Sequence, residues 1–121
     1  MFAAGKTGEN GNPQATTPAS IAANAKGFTP RDKMTGDERR SYIKAVRCLM
    51  NRPSQYRDHD LYPGAQTRFD DFVAQHINIT FIHHGTFSFL AFHRYFLWAY
   101  ETELRESCGY EGAQPVGQKC P

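Results

Sequence analysis

The chain has 121 residues and a formal charge of +2, with 14 basic residues set against 12 acidic ones. That near-balance, with lysines and arginines scattered among carboxylates, argues against a nucleic-acid partner, and no stretch approaches the ~20 apolar residues of a membrane span. The length supports one small domain.

Met1 to Pro30 is rich in Gly, Ala, Thr, Asn and Pro, and has no aromatic residue between Phe2 and Phe28. Such a composition cannot bury enough apolar surface to offset its ordering entropy, so residues 1–34 are expected to be low-complexity and disordered. Roughly ninety residues then remain for a core, a size at which stability is marginal without a metal, a disulfide or a partner. The start lacks the basic-then-apolar layout of a secretory signal.

Thr35-Gly36-Asp37-Glu38 has the form of a capping box ahead of Tyr42, Ile43, Val46, Leu49 and Met50 at helical spacing, and Pro53 closes that first helix. Residues 54–66 form a polar, turn-rich loop in which His59, between Asp58 and Asp60, reads as a solvated residue. A second helix starts at Thr67 as N-cap, with Asp70 and Asp71 in its first turn. Its apolar face runs through Phe69, Phe72, Val73 and His76. Gly85-Thr86 breaks the pattern, and Phe87 to Ser107 reads as the longest helix, ending at Gly109. On it His93 shares a face with Phe89, Leu90, Phe96, Leu97 and Tyr100, while Glu101 and Arg105 are spaced for an i,i+4 ion pair.

Three cysteines allow one pair with one left over. Cys48 with Cys108 is favoured because both lie at or near predicted helix ends, whereas Cys120 sits at the terminus; connectivity itself does not follow from the sequence. Asn78-Ile79-Thr80 is an N-glycosylation sequon, meaningful if the chain is secreted.

His76, His84 and His93 are eight and nine residues apart in an aromatic-rich stretch. Any one imidazole on an apolar face has a plain reading as a hydrogen-bonded core residue, but two on separate helix faces with a His-His pair between them favour a metal. Imidazole suits Zn, Cu, Fe and Ni alike, and there is no HExxH and no short-spaced cysteine pair to point to zinc. The phenylalanines around them serve equally as core filling or as an apolar shell round a buried metal.

The segment TRFDDFVAQHINITFIHHGTFSFLAFHRYFLWAYETELRESCGYEGAQP resembles the copper A half of fungal tyrosinases and catechol oxidases, the type 3 copper proteins. The likeness runs from about Asp37 to Pro115 and is densest from His76 to Tyr100. The resemblance implies an all-α fold: a partial helical bundle of about three helices, the copper A half of a four-helix core, over residues 35–115, with 116–121 a divergent tail. It also implies that His76, His84 and His93 ligate one copper, with His84 taken over His83 because the family's second ligand directly precedes the glycine. Arg94 and Asp71 would be supporting residues. No cysteine lies in residues 77–83, so the thioether link to the second histidine found in some relatives is not expected.

In such enzymes two coppers, each on three histidines, face one another, bind O2 and oxidise phenols or catechols to quinones. A second set of three histidines is absent from these 121 residues, so the expectation is a truncated half-site that is inactive unless a partner completes it. The alternative is a non-catalytic product with a mononuclear metal site, or with core histidines alone. Phenolic small molecules and O2 are the implied partners, no nucleic acid or membrane is expected, and the half-bundle's exposed apolar faces would favour self-association. An extracellular location follows from the relatives and the candidate disulfide.

Overall fold

The computed structural model describes residues 28–56 and 60–117. In chain order it contains a strand β1 (Phe28–Pro30), a single 3-10 turn (Arg31–Lys33), helices α1 (Gly36–Met50), α2 (Arg68–His83) and α3 (Phe89–Cys108), and a strand β2 (Gln114–Val116). The fold is thus mostly helical, with three helices as expected and a small sheet that was not. β1 and β2 pair in parallel, Phe28 beside Gln114 and Pro30 beside Val116. Residues 28–30, ahead of the expected boundary at 35, are thus in regular structure, because β2 supplies a pairing edge that local composition does not reveal. Met34, within the stretch expected to be disordered, is buried. His59 lies outside the described residues.

Local chemistry sets the first two helix starts. Thr35 Oγ1 accepts from the Glu38 backbone N–H at 3.2 Å, and the Glu38 carboxylate accepts from Thr35 N–H at 2.7 Å. At α2 the same reciprocal box joins Thr67 and Asp70, at 3.2 and 2.9 Å. Each box satisfies two backbone donors that a helix start leaves without partners. Hydrogen bonds from the Thr35 backbone N–H and hydroxyl hold the Glu38 carboxyl below its ordinary range, and those from the Thr67 hydroxyl and backbone N–H do the same for Asp70.

At the far end of α3, Gly109 takes a left-handed φ of 67°, which lets Tyr110 N–H donate back to the Leu104 carbonyl at 3.1 Å. Gly109 N–H itself donates to the Arg105 carbonyl at 3.0 Å, the bond of an αL helix stop, and the Tyr110 ring is buried in the core. The core joins Ala45 and Leu49 of α1, Phe72 of α2, Leu104 of α3 and Tyr110. Leu49 and Leu104 have no exposed surface, and each contributes about 2 kcal/mol by burial.

Two further links close this end. Cys48 and Cys108 form a disulfide between the C-terminal ends of α1 and α3, as favoured from the sequence. Arg68, buried at the start of α2, places Nη1 3.0 Å from Asp71 Oδ2 and Nη2 3.0 Å from Glu103 Oε2 of α3, with its guanidinium 5.0 Å from the Phe72 ring centre. Asp71 also accepts from Ser54 Oγ and from the Gln55 backbone N–H at 2.8 Å, tying the loop before α2 to the same centre. Burial pushes the Glu103 carboxyl up, but hydrogen bonds from Arg68 and Ser107 outweigh it and hold the group below its ordinary range.

Candidate metal centre

α2 and α3 run as a hairpin whose tip carries the histidines. His76 sits midway along α2, His83 is its last residue, His84 follows as the C-cap, and His93 lies one turn into α3. The turn needs Gly85, whose φ of 79° is a conformation that side-chain-bearing residues rarely adopt. With it the chain reverses so that His84, extended at φ −77° and ψ 131°, points back between the helices.

The three histidines named from the sequence come together. His76 Nε2 lies 3.3 Å and His84 Nε2 3.1 Å from His93 Nε2, and one ring nitrogen from each of the three falls within 4.8 Å of the others. The His76 ring stands nearly perpendicular to those of His84 and His93, at 86° to both. Each ring is half-buried.

Hydrogen bonding selects the tautomer at one of the three. His93 Nδ1 is 2.7 Å from the Phe89 carbonyl, which can only accept, so Nδ1 carries the proton and the neutral ring's Nε2 presents a lone pair. That lone pair faces the other two rings. For His76, burial and then the nearby His84 and His93 rings lower the pKa, favouring the uncharged form.

Three nitrogen donors round a metal at ~2.0 Å and near-tetrahedral angles stand about 3.2 Å apart. The 3.1 and 3.3 Å separations match that spacing. Between bare imidazoles such contacts are hard to satisfy together, because both converge on the single in-plane lone pair of His93 Nε2, which directs one good hydrogen bond. The donor set is therefore suited to a metal, though nitrogen ligands alone do not choose among the borderline ions. Aromatic rings surround it: Phe96 beside His76 at 5.5 Å, and Phe89 beside His84 at 5.4 Å and His93 at 4.2 Å.

Other expectations fare differently. Asp71 serves the Arg68 ion-pair centre, and Arg94 is exposed on α3. Val73 and Leu90, assigned to apolar faces by periodicity, are exposed at 44% and 78%. The reason is that helical spacing says which residues share a face but not whether another element lies against it. α3 begins at Phe89, two residues later than expected, because Thr86 and Ser88 spend their hydroxyls on the turn. His83, next to His84 in sequence, is absent from the cluster. Its ring stacks on Phe92, with centroids 4.5 Å apart and planes 7° from parallel, and its Nδ1 meets Ser88 Oγ at 2.9 Å.

Comparison with known proteins gives a consistent result. Residues 66–116 match the common central domain of tyrosinase. The chain is 46% identical over 101 residues to the tyrosinase-like protein orsC of Emericella nidulans, covering 84% of this chain and 26% of that one. It is 49% identical over 82 residues to the N-acetyl-6-hydroxytryptophan oxidase ivoB of the same organism, covering 68% and 22%. A polyphenol oxidase of Thermothelomyces thermophila superposes with a TM-score of 0.70 at 37% identity, over 82% of this chain and 28% of that structure. The chain thus spans about a quarter of the length of the relatives it matches. The matched segment contains the whole histidine hairpin, and this part of the chain is a stretch of the common central domain of the tyrosinase family.

Proposed function

We propose that His76, His84 and His93 hold one copper ion, the copper A site of a tyrosinase-class oxidoreductase acting on phenols or catechols. The observation that carries this reading is the convergence of three imidazole nitrogens, His93 Nε2 standing 3.1 and 3.3 Å from the other two and all three within 4.8 Å, with the His93 tautomer fixed by the Phe89 carbonyl. When bound with a second copper, the metal supplies two-electron oxidation of the phenolic substrate by O2. The chain's own residues have three tasks. The histidines present uncharged donors, which avoids concentrating charge in a half-buried site. Phe89, Phe92 and Phe96 limit water near the donors and lower the local dielectric. Gly85 permits the reversal that brings His84 to the other two.

These 121 residues contain five histidines, three of them in the cluster, so ligands for a second copper come from outside them. They would be supplied by further sequence of the same protein or by a partner. A face bearing Ile77, Phe81, Ile82, Phe87 and Leu90, all more than 60% exposed, flanks the cluster and supports self-association or cover by such a segment. No helix among the described residues is long and apolar enough to cross a membrane. An extracellular location agrees with the disulfide, since such bridges persist in oxidising compartments, and Asn78 of the sequon is exposed.

Copper analysis of the purified chain, with a catechol oxidation assay, tests the reading. One copper per chain, lost in H93A, is expected, with turnover appearing when a second three-histidine half is supplied. Copper binding unchanged in H93A would overturn the ligand assignment. Copper at or below one per chain with no turnover under any pairing would favour a non-catalytic metal site.

A further inference from the structure

Ser88 occupies the N-cap position of α3, yet its side chain makes no capping hydrogen bond. A serine there ordinarily accepts from the helix's own first N–H groups. Instead its Oγ lies 2.9 Å from His83 Nδ1 and 2.8 Å from Thr86 Oγ1. The direction of this chain follows from its end. Thr86 Oγ1 is 3.1 Å from the His83 carbonyl and 3.3 Å from that of Ile82, and carbonyls only accept. Thr86 therefore donates to the carbonyls, Ser88 donates to Thr86, and His83 donates from Nδ1 to Ser88. The last turn of α2 is thereby joined to the residue before α3 by side-chain hydrogen bonds that end on backbone carbonyls.

The other face of His83 matters equally. It stacks flat on Phe92, and Phe92 meets the His93 ring edge-on at 5.1 Å and 80°. His83 thus touches both arms of the hairpin, between the ring that supports His93 and the turn that delivers His84. Between those two attachments sits Gly85, the most permissive backbone position in the turn. Some other constraint must fix its angle.

We infer that His83 and Ser88 form a latch across the α2–α3 turn that places His84 against His93, making them positioning residues for the three-imidazole cluster. This rests on the reading of that cluster as a copper site, and the test separates the two. The full chain is titrated anaerobically with Cu(I) in competition with a chromophoric Cu(I) chelator, alongside S88A, S88T, H83F, the double variant H83F/S88A and the ligand control H84A.

H84A is expected to lose at least about 100-fold in affinity. S88A and H83F each lose about tenfold, the range for a group that orients a ligand without binding metal. The double variant loses no more than the worse single one, because either change opens the same latch. S88T, which keeps the hydroxyl, retains the parent affinity. The apo unfolding midpoint of S88A falls only slightly compared with the loss in affinity, since two partly exposed hydrogen bonds but no capping bond are removed.

Parent-like affinity in S88A and H83F, with H84A impaired, would overturn the latch and leave the copper reading intact. Parent-like affinity in H84A would overturn the copper reading and the latch with it. A loss in H83F as large as that in H84A would make His83 a ligand and so end its positioning role. Should H83F fail to fold, the S88A and S88T pair decides the matter.

Discussion

The two ends of the α2–α3 hairpin are built on opposite terms. At the disulfide end the groups are packed and paired within the chain: Leu49 and Leu104 are fully enclosed, the Arg68 Nη atoms are paired with Asp71 and Glu103, and a covalent bridge joins α1 to α3. At the histidine end Phe81 and Phe87 stand almost wholly exposed, and three imidazoles face one another across a gap of metal-ligand size. One end stabilises the fold, and the other is the end proposed to bind copper. Substitutions should therefore separate cleanly, with those at the disulfide end changing stability and those at the tip changing metal affinity and association.

The largest effect should come from the bridge. Its cysteines are 60 residues apart, and closing a loop of that length constrains the unfolded chain by about 4 kcal/mol. Thermal melts with and without reductant, or of C48S/C108S, check this; a reduced chain of unchanged midpoint would show that the packed end does not depend on the bridge. Next, R68A strands two carboxylates in a site that is nearly dry and should cost about 3 kcal/mol, read by urea unfolding. Copper titration of H93A should show a loss of at least about 100-fold, about 2.7 kcal/mol, with an apo melt close to the parent's. If H93A instead lowered the apo midpoint as R68A does, the division between the two ends would collapse.

A smaller, pH-dependent effect belongs to Glu103. Its folded-state pKa lies below the unfolded value, so its contribution is present above pH ~4.3 and is lost as pH falls through the lower folded value. E103Q should flatten that part of the acid unfolding curve. Smallest in stability is F81S, expected to shift it by no more than about 0.5 kcal/mol while reducing self-association in light scattering.

Legibility from the sequence follows the same division between local and distant causes. The start of α1 could be read because a capping box involves residues three apart, that of α2 from Thr67 as N-cap with two carboxylates in the first turn, and the end of α3 because Gly109 is a recognisable stop. The disulfide pairing came from helix ends, and the three histidines from a family pattern. What escaped was non-local. β1 pairs with β2 across almost the whole described chain, Glu103 reaches Arg68 from another helix, and Ser88 gives up its cap for His83. Periodicity put Val73 and Leu90 on apolar faces, but the surface opposite them is not supplied by these residues. A hydroxyl count at the turn, Thr86 and Ser88 flanking Phe87, was the one visible hint of the latch.

The Cys48–Cys108 bridge has a topological consequence for durability. Residues 76, 84 and 93 all fall inside the covalent ring it closes. A protease cutting once anywhere between the two cysteines opens the ring but releases no fragment, and all three histidines stay on a single molecule of nearly unchanged mass until the sulfurs are reduced. The exposed tip can thus be nicked without the donor set being dispersed.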